Sequence, residues 1–443
     1  RKEAFALSKD GSAWLLVAQQ HAARNEWDEA IKAYVELLRH EPKAGAGKAG
    51  APPAHVLIAR QSNLDCLVRV ARALPDHASR LWLERARLSF PNYSFYPTLG
   101  HARDRVALFL KDDPEQPVLW LEKARIARRA RDHAGAMDNY VRAMACLEKT
   151  PPLELHGILY REAIQAEEAA FPETKADWKT GPLLKRRAED PWLWFFHGAL
   201  DLSRGIPGTF ETNVGKALEL RPGDPWLLLQ RARHRASLGR WKDAATDLDL
   251  GAKATDLGKD TVYSLEYATI LGAAGRTEEA RGVAMKMLTG QRMTAAAPDA
   301  QRAALAGALF VPGDEDKKEI LRLAEVASRQ PTTLSICTQA LAEYRAGQVD
   351  KADARMQPLV RVMTEGKEPS GMNTLARLIA GLAAAGAGNK EGARTALTRA
   401  LGDMDRVFPD GKECKMQPPG AGYLWAMCVV LRPEGQKALA AVR

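Results

Sequence analysis

Large and small apolar residues recur along this chain at the spacings of amphipathic helices, and they recur in pairs. Over residues 12–42 the large positions are Trp14, Trp27 and Tyr34, the small ones Ala18 and Ala30, and Pro42 closes the pattern. The same order returns at Trp120, Ala124, Ala127, Ala136, Tyr140 and Ala143. It returns at Trp194, Gly198, Ala217 and Pro222, then at Leu228, Ala232, Gly239, Trp241 and Ala244. Later copies lie at Tyr267, Ala268, Gly275 and Ala280, at Ile336, Ala340, Gly347 and Ala352, and at Gly381, Gly388, Ala393 and Leu397. Weaker copies open at Trp82 and Ala86 and fill 153–188 and 298–330. From Trp82 to Arg377 the step averages about 37 residues, the length of a stacked two-helix unit. Small residues mark where the two helices of a pair approach closely, and large ones fill the space between pairs. Each copy predicts a helical hairpin.

The connectors agree with this reading. Asp190-Pro191-Trp192 and Asp224-Pro225-Trp226 each place a capping carboxylate before a first-turn proline. Leu238-Gly239-Arg240-Trp241 and Ala274-Gly275-Arg276-Thr277 read as tight turns inside a pair, with glycine in the left-handed conformation. Residues 43–53, KAGAGKAGAPP, break the rhythm and read as a low-complexity loop. Its Gly47-Lys48 is no phosphate loop, because Pro42 stands where the leading glycine is needed and Ala49 replaces Ser or Thr.

These positions resemble the tetratricopeptide repeat over roughly residues 11–407. The resemblance implies an all-α superhelix, a solenoid of about ten hairpins, with first helices lining a concave protein-binding face. It sets provisional divisions at 1–50 (first repeat and loop), 51–190 (degenerate and regular repeats), 191–411 (regular repeats) and 412–443 (a C-terminal capping helix). A narrower likeness joins Arg240–Leu248, Val311-Pro312-Gly313 and Leu431-Arg432-Pro433-Glu434-Gly435 to the carboxyl-terminal repeat region of large bacterial multidomain proteins of the planctomycete type. In those a kinase or a β-propeller lies upstream. The sequence here carries no kinase Gly-rich loop, H-R-D or D-F-G.

Composition adds little to the fold but narrows the function. Ala, Leu and Arg are frequent and runs of β-branched residues scarce, which favours helix. The formal charge of +9 is spread along the chain and fits solvated arginines, with acidic partners as the functional counterpart. Cys66, Cys146, Cys337, Cys414 and Cys428 include no C-x-x-C, and their odd number argues against a disulfide framework or a zinc site. A reducing, cytoplasmic compartment fits. No apolar stretch reaches the roughly 20 residues a bilayer needs. The histidines have no metal-ligand spacing, and Glu167-Glu168 and Glu278-Glu279 are neighbours that diverge on a helix. No cofactor and no catalytic constellation is expected.

The residues singled out for binding come from the first-helix positions that the resemblance places on the concave face. They are Gln19, Arg125, Arg128, Arg129, Trp226 and Arg233. Arg125 and Arg129 share a helical face and Arg128 lies beside it, so the three could fork a carboxylate or an acidic peptide. Pairing with Glu122 or Asp132 is the competing expectation. The expected function is a protein-interaction scaffold, non-catalytic and part of a larger signalling protein. A helical-repeat enzyme and a nucleic-acid-binding solenoid are the alternatives.

Overall fold

The computed structural model describes residues 99–147, 153–172, 179, 181–206, 208–292, 296–311, 313–329, 331–363, 369–409 and 422–442, and Val17, His21 and Ala33 before them. Among the described residues there are eighteen α-helices and no strand. Consecutive helices pack as antiparallel hairpins, so the architecture is all-α and repetitive. The chain divides into two units, Arg1–Leu220 and Arg221–Arg443.

In the first unit the described helices are α1 (Leu99–Asp112), α2 (Pro117–Arg129), α3 (His133–Leu147), α4 (Leu153–Ala170), α5 (Pro182–Arg186), α6 (Pro191–Ser203) and α7 (Gly208–Leu220). The tight hairpins are α2/α3 and α6/α7. Ala124, Ala136, Tyr140 and Ala143 are all buried between α2 and α3, as their spacing predicts. At Gly198 an added Cβ would stand 3.0 Å from the Asn213 Cβ and 3.3 Å from the Phe210 Cα, so the small position is set by contact with α7. The degenerate stretch 153–188 has an 18-residue first arm, α4, and a second arm, α5, of only five residues. The early repeat at 12–42, the loop at 43–53 and the first helix of the copy opening at Trp82 lie outside the described residues, apart from Val17, His21 and Ala33; the second helix of that copy is α1, which ends at Asp112.

Among the described residues the second unit holds five hairpins. They are α8 (Pro225–Ser237) with α9 (Trp241–Ala252), α10 (Thr261–Ala273) with α11 (Thr277–Gly290), α12 (Ala297–Phe310) with α13 (Asp314–Ser328), α14 (Thr333–Arg345) with α15 (Val349–Met363), and α16 (Gly371–Gly386) with α17 (Lys390–Val407). The first helices α10, α12, α14 and α16 also touch one another in sequence order, forming one row. The last helix, α18 (Gly422–Val442), packs on α16 and α17, on α10 and α12 of that row, and on α8. It therefore covers first helices as well as the final hairpin. Trp425, Met427 and Cys428 at its start are fully buried.

The caps are as the connectors predict. The Asp190 carboxylate accepts from the Trp192 and Leu193 N–H groups at 3.0 and 3.3 Å, and Asp224 does the same for Trp226 and Leu227 at 3.0 and 3.1 Å. Gly239 and Gly275 take φ of 78° and 84° in the turns of their hairpins. The α2/α3 turn has no glycine, and Arg131 adopts φ 60° there instead.

Candidate protein-binding surface

Arg125 is the most constrained of the singled-out residues. It is 2% exposed and its guanidinium is filled from two sides. Nη1 donates to Glu122 Oε1 at 2.9 Å, one turn back on α2. Nε and Nη2 donate to the Glu162 carboxylate on α4 at 3.0 and 2.8 Å. The Tyr140 hydroxyl donates to the same carboxylate at 3.2 Å. Burial pushes the Tyr140 phenol well above its ordinary pKa, and Glu162 adds to the shift. Glu162 thus ties α2, α3 and α4 together at one point.

The neighbouring arginines differ. Arg128 is 39% exposed at its side chain, with Nη2 at 3.7 Å from Glu162. Arg129, on the last turn of α2, is exposed. Val118 and Leu121, on the same helix, are fully buried. The structure therefore brings Arg125 and Arg128 to one carboxylate and leaves Arg128 and Arg129 reaching solvent.

In the second unit Arg233 repeats the Arg125 arrangement. Its Nε and Nη2 donate to the Glu266 carboxylate on α10 at 2.7 and 2.6 Å, and Nη1 reaches Gln230 at 3.3 Å. Trp226 is half-buried at the start of α8. Gln19 lies outside the described residues.

Trp120 and Trp194, which stand at the same position of their repeats, are half-buried, each with a fixed polar edge. Trp120 Nε1 donates to the Pro114 carbonyl at 2.7 Å, and Trp194 Nε1 donates to the Ala188 carbonyl at 2.9 Å. Lys123 and Arg142 stack on the Trp120 ring at 4.9 and 4.8 Å from its centroid. These rings bind the loop between one hairpin and the next.

Sequence reasoning missed the acidic partners. Glu162 lies 37 residues after Arg125 and Glu266 lies 33 after Arg233, each about one repeat on. It also missed Glu434 on α18, whose carboxylate accepts from Arg345 Nη1 and Nη2, both at 2.7 Å, and from Tyr344 at 3.0 Å. Burial and that carboxylate push the Tyr344 phenol up to about 12. A second buried pair joins Arg377 of α16 to Asp403 of α17 at 2.7 Å.

Among the described residues no group of three or more His, Cys, Asp or Glu could hold a metal ion, and no helix is long and apolar enough to cross a membrane. An open pocket of about 580 Å³ lies between residues 252–258 and the end of α11. Its ionisable lining is Asp256 and Lys286 alone.

No family model matches the chain, and no curated protein matches it. Similar solved structures are helical. A chain of the APC/C hetero-tetramer Cut9–Hcn1 is 13% identical, with 87% of this chain and 72% of that chain covered and a TM-score of 0.39. Yeast Tom70 is 12% identical, covers 100% and 96%, and has a TM-score of 0.31. The P58(IPK) TPR domain is 14% identical, covers 89% and 98%, and has a TM-score of 0.20. The chain is an all-α protein of stacked helical hairpins.

Proposed function

We propose that this chain is a protein-interaction scaffold that binds peptides or partner domains on the first helices of its hairpins, in the reducing cytoplasm of a bacterial cell and as the non-catalytic part of a larger signalling protein. The observation that carries the reading is that first helices are stapled in pairs by Arg–Glu forks, Arg125 of α2 to Glu162 of α4 and Arg233 of α8 to Glu266 of α10, which hold their surface rigid. Such a surface suits an extended or helical segment better than a small molecule. In the first unit Arg128 and Arg129 supply exposed donors beside a fixed framework. The overall charge of +9 favours acidic partners.

The test is cross-linking and mass spectrometry of the full chain against acidic, neutral and basic peptide sets, at low and high salt. The reading expects acidic peptides to be captured and cross-links to fall on α2, α4 and α6. Equal capture of all three sets would remove it. Capture of duplex nucleic acid with a steep salt dependence would favour the nucleic-acid alternative.

A further inference from the structure

The helix α18 has two dissimilar halves. Trp425, Ala426, Met427 and Cys428 are fully buried, and the Cys428 thiol reaches the Gly371 carbonyl at 3.6 Å. Pro433 stands inside the helix. Having no N–H, it leaves the Val429 carbonyl without its usual helical donor, so the ladder is weakest there. Beyond Pro433 the burial turns one-sided: Gly435, Leu439 and Val442 are covered, while Gln436, Lys437, Ala440 and Ala441 are exposed.

Three attachments hold this second half. The Arg345 fork and the Tyr344 hydroxyl hold the Glu434 carboxylate. Gly435 lies so close to α16 and α17 that an added Cβ would meet Leu378 at 3.1 Å and Leu397 at 3.5 Å. The Val442 carbonyl accepts from Arg394 at 3.1 Å. The Arg345 and Glu434 side chains are 27% and 31% exposed, so water reaches this end of the helix and does not reach Trp425.

We infer that residues 434–442 are an intramolecular ligand, an amphipathic latch anchored by the Glu434 carboxylate, that hinges at Pro433 and covers a groove fit for a partner helix of the same chemistry. Arg345 stays oriented when the latch leaves, because its Nε donates to the Ala308 carbonyl at 2.9 Å. A guanidinium fixed in that way is preorganised to fork a carboxylate. Leu378 and Leu397 supply the apolar floor. The incoming helix needs a carboxylate, a small residue directly after it, and apolar residues five and eight positions on, as Leu439 and Val442 follow Glu434. The partner half of this inference rests on the scaffold reading; the latch itself does not.

The probe is a fluorescent peptide of residues 432–442, titrated into the full chain, the full chain with Glu434→Gln, and a chain ending at Pro433. A closed latch multiplies the apparent affinity by the open fraction, so the shortened chain should bind the peptide at least about tenfold more tightly than the full chain. Glu434→Gln should fall between them, and Arg345→Gln in the shortened chain should abolish the gain. Hydrogen exchange on the full chain should show residues 424–431 far better protected than 434–442. Equal affinities for the full and shortened chains, or equal protection on both sides of Pro433, overturn the inference. If the shortened chain does not fold, the exchange comparison decides alone. Because the probe is the chain's own segment, a negative result leaves the scaffold reading standing.

Discussion

Arg233 on α8 forks the Glu266 carboxylate on α10 at 2.7 and 2.6 Å, the same step from one first helix to the next that Arg125 makes to Glu162. Both arginines are the ninth residue of their helix. Two forks at one register position, in separate units, make this position a staple between hairpins. A guanidinium suits it because its planar fork can serve two carboxylates at once, as Arg125 serves Glu122 and Glu162.

The staple gives the first prediction. Arg125→Met takes away the guanidinium that pairs with Glu122, which is 1% exposed, and with Glu162. Breaking one side of a buried ion pair costs about 3–5 kcal/mol. Arg129→Ala, at an exposed site, should stay within about 0.5 kcal/mol of the parent. Urea denaturation of both variants checks the contrast, and similar midpoints would show that Arg125 is not structural. A triple change of Arg125, Arg128 and Arg129 to alanine therefore mixes folding with binding, so binding is better tested with Arg128 and Arg129 alone.

The second concerns the close crossing of α2 and α3. Ala136 is 1% exposed. Ala136→Trp forces a large ring into a filled interface, and overpacking of this kind costs about 1–3 kcal/mol or more. The expected outcome is a lower thermal midpoint. A midpoint within a degree of the parent would mean that the crossing has room.

The third uses the turn without glycine. The tight turns of the second unit at 239, 275, 347 and 388 all have glycine with positive φ, whereas the α2/α3 turn has Arg131 at φ 60°. A side chain in the left-handed region costs about 1–2 kcal/mol, and the greater freedom of glycine in the unfolded chain returns part of that. Arg131→Gly should stabilise the chain by about 0.5–1 kcal/mol. No gain in the chemical denaturation midpoint would show that Arg131 makes up its strain elsewhere.

The hairpins were legible because their signals are local. Ala136 and Tyr140 sit one helical turn apart, Gly239 follows its helix directly, and Asp190 precedes its proline. The staples were half legible. Arg125 was found, but Glu162 lies a repeat away and only three-dimensional stacking joins them, so an inward-reaching arginine read as a ligand-binding one. The course of α18 was less legible still. Its trace was indirect: Leu375–Ala384 in α16 is buried on every side, and a first helix with no polar face needs a cover beyond its own hairpin. The structure gives Arg377 its partner in Asp403.

The last prediction is a pH dependence centred on Glu167. This residue of α4 is 1% exposed, and its Oε1 accepts from the Leu183 N–H at 2.7 Å. Gly181, the N-cap of α5, has no side chain to do so, and Glu167 caps that helix from outside. Burial pushes its carboxyl up from 4.5 to about 7; the Leu183 bond opposes the shift and Glu168 adds to it. An acid raised on folding binds more protons in the native chain than in the unfolded one between these two values. The associated stability is complete below about pH 4.5 and is lost as the pH climbs through 7. At about 1.4 kcal/mol per unit, the loss is about 3 kcal/mol. Glu167→Gln keeps an acceptor for Leu183 and removes the titration. Other groups titrate in both chains, so the quantity to follow is the difference between parent and variant. The parent should lose ground to Glu167→Gln steadily from pH 5 to pH 7.5 in urea denaturation. Parallel profiles across that range would mean that Glu167 is ionised at neutral pH and that its burial is offset by groups other than Leu183.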